Sequence, residues 1–363
     1  MPEPARWDFG ALLPGVGVFG GVRRFLALGN ELVRRGHRYV LYHPTGDRPG
    51  WMPFAGEVRP LATLADSRHD VLVCGEPSLV GEFASATARL KLFYCVLEKL
   101  AHERRIVHDR RWTLLANSSG IAARLRRRYR VHPEPAIGGI DLDFFRPTGP
   151  PRPPRPEPFR ILAYGRLSRP RKGTAIVLRA AEALARGARR HPAWGGALAH
   201  PVQVVLFDHL GAGNERDPRP GVRARVPVEF HLDLSQEGLA SLYSTCDVFV
   251  SAERRAGWNN TVAEAMACGV PVVCTSSGTR DLAHHGRTAR VVPARHPWFF
   301  TRELRRLWRD PAERDRLRRA ARAGLGAFTW SRLADRIEAV VVSRLTQADG
   351  ATPPPAGEPE RRL

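Results

Sequence analysis

Phe159 to Arg186, FRILAYGRLSRPRKGTAIVLRAAEALAR, reads as a strand (Phe159 to Tyr164), a basic loop (Gly165 to Gly173) and a helix (Thr174 to Arg186). Immediately before it stands Thr148 to Pro158, TGPPRPPRPEP, with six prolines. Such a stretch neither continues a helix nor serves as a central strand, so it is the expected interdomain linker. The strand-loop-helix unit therefore opens a second domain.

The first half begins the same way. Asp8 to Leu13 leads into a glycine loop, Gly15 to Gly21, after which Val22, Phe25, Leu26, Gly29, Leu32 and Val33 recur at helical spacing. Gly36 is placed to end that helix in the left-handed conformation, and Tyr39 to Tyr42 makes the next strand. Val71 to Cys74 predicts a further strand, and Asn117 to Arg130 a helix with Ile121, Leu125 and Tyr129 on one face. Past the linker, Val202 to Phe207, Asp247 to Ser251 and Pro271 to Thr275 are short apolar runs, with helices predicted over Gln236 to Ser244 and Thr261 to Cys268. Strands alternating with helices call for a parallel sheet covered on both faces, and here the pattern occurs twice. The expected fold class is α/β: two doubly wound domains, residues 1–147 and 159–327, joined by residues 148–158 across a cleft. Ligands of such sheets bind beyond the carboxyl ends of the strands.

Composition narrows the function. A chain of 363 residues that is 43% hydrophobic has enough apolar material for two cores, which argues against global disorder. Lys plus Arg number 57 against 36 Asp plus Glu, a formal net charge of +21, but only Lys91, Lys99 and Lys172 are lysines. The arginines are spread along the chain instead of gathered in one tail, which argues against a nucleic-acid partner. Five cysteines (Cys74, Cys95, Cys246, Cys268, Cys274) form no C-x-x-C pair and read as small buried residues in a reducing compartment. Met1 to Phe9 lacks the apolar core of a signal peptide, and no apolar run approaches about 18 residues. The expected location is cytoplasmic, with any membrane contact peripheral. Residues 347–363 are expected to be a disordered tail, Asp349 to Pro359 being rich in Pro, Gly and Ala. No Asp or His cluster has ligand spacing, and Asp141-Leu142-Asp143 precedes the linker, so no metal is expected.

Three constellations carry chemistry. Gly15-Val16-Gly17-Val18-Phe19-Gly20-Gly21 satisfies G-x-G-x-x-G between a strand and a helix, where amide groups and the helix dipole receive a phosphate. The acidic residue expected about 20 positions further on in a dinucleotide site is missing, since the next strand ends at His43-Pro44. In Gly165 to Gly173, GRLSRPRKG, the guanidinium of Arg166 and the ammonium of Lys172 suit a pyrophosphate, although a solvated basic loop would look similar. In Ser251 to Ser277, SAERRAGWNNTVAEAMACGVPVVCTSS, Thr261 and Glu264 fit a capping box, Gly269 ends the helix, and Trp258-Asn259-Asn260 is expected exposed where the helix amino terminus faces the cleft.

GRL-x-x-x-x-KG after the linker, combined with G-W-N-N-x-x-x-E-A-M-A-C-G-V-P-V-V, resembles the retaining glycosyltransferases of GT-B fold, family 4 (glycosyl transferases group 1). Val18 to Gly36 resembles the first glycine loop and helix of that family. Asn117-Ser118 to Pro147, with Gly139-Ile140-Asp141, resembles the end of its amino-terminal domain, and Phe328 to Leu345 its closing helix. The resemblance implies a GT-B fold of two Rossmann-like domains, an acceptor-binding one over 1–147 and a nucleotide-sugar-binding one over 159–327. It implies that residues 328–346 pack back toward the first domain. It implies a UDP- or GDP-linked sugar as donor substrate with no separate cofactor, and a sugar, lipid-linked or small-molecule acceptor. Arg166 and Lys172 would hold the donor diphosphate and Glu264 the ribose hydroxyls. The backbone of Gly257, Trp258, Asn259, Asn260 and Thr261 would face sugar and phosphate, with Gly20 and Gly21 closing from the other domain.

The sequence also departs from that family. Its motif is commonly E-x-x-x-x-x-x-x-E, and eight residues before Glu264 stands Ala256, with Glu253 the nearest upstream carboxylate. Leu92-Phe93-Tyr94-Cys95 offers no histidine where many members place one; His43 and His102 lie nearby in sequence. Two rival readings are an NAD-dependent oxidoreductase using the GVGVFGG loop and a basic membrane-surface protein. The second would rest on Ala122 to Arg130 and on Arg302 to Arg322, where arginines surround Leu304, Leu307, Trp308 and Leu317. Such mixed runs are more often solvated faces.

Overall fold

The computed structural model describes residues 6–149, 152–153, 158–189, 201–210 and 216–349. Four of the six linker prolines and the predicted tail beyond residue 349 lie outside the described residues.

Two sheets organise the chain. The first contains β1 (Asp8–Leu12), β2 (Arg38–His43), β3 (Glu57–Pro60), β4 (Arg68–Cys74), β5 (Thr87–Cys95), β6 (Thr113–Ala116) and β7 (Glu134–Pro135), in the spatial order β3-β2-β1-β4-β5-β6-β7. The second contains β8 (Phe159–Tyr164), β9 (Val202–Asp208), β10 (Val228–Leu232), β11 (Val248–Ser251), β12 (Val272–Cys274) and β13 (Arg290–Val291), in the order β10-β9-β8-β11-β12-β13. Every strand pair is parallel. In both sheets the order reverses beside the first strand, at β1/β4 and at β8/β11, and there the loops after those strands diverge to leave a crevice. The two expected doubly wound lobes are present.

Helices α1 (Gly20–Arg34), α2 (Val80–Ser85), α3 (Glu103–His108) and α4 (Ser119–Tyr129) belong to the first lobe. Helices α5 (Thr174–Arg189), α6 (Gln236–Ser244), α7 (Asn260–Ala267), α8 (Pro297–Arg309) and α9 (Pro311–Gly324) belong to the second. The predicted turn holds: Gly36 has φ +90° directly after the helix C-cap at Arg35. The basic stretch Arg302 to Arg322 is broken at Asp310, whose Oδ1 accepts from Glu313 N at 2.9 Å and so starts α9 with Pro311 in its first turn. Leu304, Leu307, Trp308 and Leu317 pack into the core of the second sheet with Phe300 and Ala181. These four side chains are thus spent on folding, while Trp298 in the first turn of α8 stays exposed. Among the described residues no helix is long and apolar enough to cross a membrane.

The last helix, α10 (Trp330–Asp349), crosses back. Its Leu333, Ala334, Ile337, Val341 and Leu345 are buried in the first lobe's core with Phe25, Leu28 and Leu32 of α1. Gly138 and Gly139, both at positive φ, lie against Phe328 and Trp330, where a Cβ on Gly139 would come within 2.3 Å of the indole. The five cysteines are free and buried. Burial pushes the thiols of Cys74, Cys95, Cys268 and Cys274 up to about 12 and that of Cys246 to about 11, which makes them inert.

Candidate active site

The carboxyl ends of the two sheets face each other across a cavity of about 710 Å³. From the first lobe it is lined by the β1–α1 loop (Val18 to Gly21), Arg23, Trp51, Val96 and Asn117. From the second it is lined by residues of the loop after β8, by Asp208 and His209 after β9, and by Glu253 to Glu264 after β11, Arg254, Val262 and Ala263 excepted. All ten residues selected from the sequence, Gly20, Gly21, Arg166, Lys172, Gly257, Trp258, Asn259, Asn260, Thr261 and Glu264, line this one cavity. His43 and His102 do not: His43 is buried against the Asp47 carbonyl, and His102 precedes α3.

The basic loop has two differently held cations. Arg166 is buried, and its Nε and Nη2 donate to the Asp208 carboxylate at 2.8 to 3.2 Å while Nη2 also reaches the His209 carbonyl. Lys172 is more open, with Nζ 2.7 Å from Glu253 Oε1 and over the Tyr164 ring at 5.1 Å. Gly173 (φ +78°) closes this loop so tightly that a Cβ would meet the Ala252 carbonyl at 2.4 Å. Burial, then the charges of Arg166 and Arg171, hold the Arg169 guanidinium below its usual range. The loop therefore accumulates positive charge that the protein only partly neutralises, which is the electrostatic setting an anion relieves.

The helix after β11 differs from its expected cap. Asn259, not Thr261, is the N-cap of α7: its Oδ1 accepts from Val262 N at 3.3 Å and from the Thr261 hydroxyl at 2.9 Å. Glu264 lies inside the helix and caps nothing. Its Oε2 accepts from the hydroxyl of buried Tyr243 at 3.0 Å, and its Oε1 accepts from Arg23 Nη1 of the other lobe at 2.6 Å. Burial and the neighbouring carboxylate push the Tyr243 phenol well above its ordinary value, so it is a permanent donor. The Arg23 guanidinium is held between Trp51 and Phe145, 5.8 and 5.9 Å from their ring centres.

A second correction concerns exposure. Trp258 and Asn259 are buried, Trp258 lying on Phe328 with ring centres 5.5 Å apart. Of the amides expected to face a ligand, that of Asn259 donates to the Gly278 carbonyl, and the neighbouring Ala256 amide to Ser277 Oγ. Gly257 is required because its missing Cβ would stand 2.1 Å from the Val96 carbonyl of the first lobe. Two buried polar atoms of cavity-lining residues, Asn117 Oδ1 and Trp258 Nε1, have no hydrogen-bond partner among the described residues. Asn260 Nδ2 reaches the Gly20 carbonyl at 3.5 Å, so the glycine loop meets the second lobe at that point.

Sequence reading missed Arg23, Trp51, Asp208 and Tyr243. Only Asp208 had a local signal, standing at the carboxyl end of a strand beside the switch point.

Comparison with known proteins follows this geometry. Residues 158–310 match the sequence model of the family described as Glycosyl transferases group 1. The structure resembles sucrose-phosphate synthase from Thermosynechococcus elongatus with a TM-score of 0.72 at 17% identity, over 94% of this chain and 100% of that one. The chain has the GT-B fold. HepE from Anabaena, solved in complex with UDP-glucose, is similar at a TM-score of 0.67 and 16% identity, over 93% and 100% of the two chains. In sequence, a D-inositol 3-phosphate glycosyltransferase of Arthrobacter sp. is 31% identical over 245 residues, 64% of this chain and 55% of that protein. A protein of the same name from Nocardioides sp. is 30% identical over 61% and 51%. The chain thus spans about half the length of these relatives. In this GT-B chain Arg166, Lys172 and Glu264 line one cleft, with Ala256 eight residues before Glu264.

Proposed function

We propose that this protein is a glycosyltransferase that moves a sugar from a UDP- or GDP-linked donor to an acceptor hydroxyl, with retention of anomeric configuration as in family 4. The observation that carries the reading is the convergence of Lys172, Arg166 and Glu264 with the Gly20–Gly21 turn on one cavity between two parallel sheets. Lys172 meets the donor diphosphate directly. Arg166, locked on Asp208, presents its remaining Nη1 from a fixed position. Each Glu264 oxygen has one protein donor and so retains a lone pair for a ribose hydroxyl.

In transfer the anomeric carbon exchanges its bond to the diphosphate for one to the acceptor oxygen, and the proton of the acceptor hydroxyl passes to the departing diphosphate. The negative charge that builds on the departing diphosphate is stabilised by cations already in place, the largest kind of catalytic contribution. No side chain at Ala256 reaches the donor sugar, so sugar recognition falls to other groups of the cleft. The names of the sequence relatives make an inositol phosphate one acceptor to test.

Thermal denaturation with nucleotides tests the reading. UDP or GDP at about 100 times Kd stabilises a protein by ~2.7 kcal/mol, and a melting temperature raised by one of them but not by NAD is the expected result. Release of free sugar from a panel of nucleotide sugars then identifies the donor. Absence of any shift and of any donor hydrolysis defeats the proposal.

A further inference from the structure

A second cavity, of about 470 Å³, lies between the lobes and shares Glu253, Arg255 and Ala256 with the main cleft. Its first-lobe wall is the opening turns of α4; its second-lobe walls are the segments that follow β11, β12 and β13. The volume is within the range of small-molecule sites, about 300–1,000 Å³.

Its lining is predominantly basic. Arg127, Arg254, Arg255, Arg280 and Arg295 border it, and among the described residues no carboxylate is within ion-pair distance of any of the five. The two carboxylates in the wall compensate only in part: Glu253 is ion-paired with Lys172 and acts on Arg295 from beyond ion-pair distance, and Glu98 acts on Arg124, which is itself paired with Glu103. Arg295 donates only to the carbonyls of Ala252, Pro170 and Arg171. Burial, then the charge of Arg254, holds its guanidinium below the usual range against the opposing pull of Glu253. The Arg280 stem crosses to the first turn of α4, where a Cβ on Gly120 would lie 3.8 Å from it. A cation at the amino end of a helix opposes the helix dipole. Asp281 answers only part of this, accepting from Ser119 N at 3.1 Å. Arg255, with φ +63°, is kept in the left-handed region between the two cavities. Like charges converging on a concave wall, with a non-glycine residue in a costly backbone state, mark a place arranged for a ligand and not for packing.

We propose that the arginine-lined cavity beside Ala256 binds a phosphate ester carried by the acceptor, placing the acceptor hydroxyl toward the donor cleft. The inference rests on the glycosyltransferase reading for the word acceptor, and on the cavity alone for the phosphate. Guanidinium forks match phosphate oxygens bidentately, and several of them together suit a dianionic group better than a single carboxylate.

The test uses the full chain saturated with UDP or GDP, whichever binds, at ionic strength fixed with chloride. The probes are glycerol 1-phosphate and, for a lipid-borne ester, vesicles containing phosphatidic acid against vesicles of phosphatidylcholine alone. Neither Arg127 nor Arg280 belongs to the donor site, and both are exposed. The expected result is that R127S/R280S keeps its nucleotide affinity and loses at least about tenfold in affinity for glycerol 1-phosphate or for the anionic vesicles. R254S serves as the second variant if the double one does not fold. Equal affinity in wild type and variants, no affinity for either probe, or displacement of the ester by nucleotide overturns the inference while the transferase reading stands. Arginine-dependent ester binding with no nucleotide binding at all supports the cavity and defeats the transferase reading instead.

Discussion

Arg23 and Glu264 meet across the cleft at 2.6 Å, the guanidinium of the first lobe's α1 on a carboxylate inside the second lobe's α7. The pair is largely withdrawn from water, with 17% and 4% of the two side chains exposed. It puts Glu264 under the control of both lobes, since Tyr243 holds the other oxygen from α6. Capping and ligand binding are consequently separable. Asn259→Ala should destabilise the protein by ~1 kcal/mol through loss of the N-cap. Glu264→Gln should leave the far-UV spectrum intact and weaken UDP or GDP binding by about tenfold, the value of one charge-assisted hydrogen bond. Calorimetric titration beside denaturant unfolding distinguishes the two; a Glu264→Gln protein that is destabilised yet binds nucleotide with normal affinity contradicts the role given to Glu264.

The two cations of the basic loop should respond differently. Arg166 and Asp208 are buried together, at 6% and 2% side-chain exposure, whereas Lys172 is 23% exposed. Removing one partner of a buried ion pair costs ~3–5 kcal/mol because the other charge stays behind. Arg166→Ala should therefore lower the melting temperature sharply. Lys172→Ala, which leaves the more accessible Glu253 carboxylate behind, should lower it less and chiefly lower turnover and donor affinity. A Lys172→Ala protein with unaltered donor hydrolysis would place the diphosphate elsewhere.

Much of this was readable from the chain, for identifiable reasons. Phe159 to Tyr164 and Gln236 to Ser244 have the boundaries that their apolar spacing and flanking residues imply. β5, Thr87–Cys95, was missed although it is nine residues long and central to its sheet, because Arg89 and Lys91 interrupt its outer half. The residues that line the cavity were legible where a loop's glycine and charge pattern is local, as in Gly165 to Gly173. What escaped is relational. Thr261 and Glu264 stand at capping-box spacing, but Asn259 begins the helix two residues earlier and turns Glu264 toward Tyr243 and Arg23. Trp258 looks exposed in sequence and is buried because the chain returns at Phe328 to cover it. Neither a partner 241 residues away nor a returning helix leaves a mark on local spacing.

Acid should loosen the second lobe through Glu303. Burial by itself would raise its carboxyl pKa, but the guanidiniums of Arg290 and Arg302 outweigh that and hold it below the usual carboxylate range. The folded state thus binds fewer protons here than the unfolded state, whose value is about 4.3. The stabilisation is present above that value and is lost as pH falls through the lower folded-state pKa. Stability from urea unfolding should decline as pH drops from about 5 toward 3, and Glu303→Gln should flatten that decline. An unchanged slope in the variant would show that other carboxylates carry the acid response.

Gly257 tests whether the distance between the lobes sets activity. Its position is fixed by the Val96 carbonyl, which a Cβ would approach to 2.1 Å, and Asn117 Oδ1 stands 3.0 Å away. Both obstacles belong to the other lobe, and the nearer one is backbone, so no side-chain rotation relieves the contact. An alanine there must either shift the Ala256–Trp258 loop or push the lobes apart. Each lobe keeps its own core, so Gly257→Ala should fold, with stability reduced by ~1–3 kcal/mol, the usual cost of overpacking. Separation of the lobes draws Gly20 away from Asn260 and Arg23 away from Glu264. Turnover should then fall by more than tenfold while affinity for free UDP or GDP, held mainly by the second lobe, falls less. Small-angle scattering with and without nucleotide measures the opening directly. A variant as compact and as active as the wild type would mean that the loop yields and the spacing of the lobes does not govern transfer.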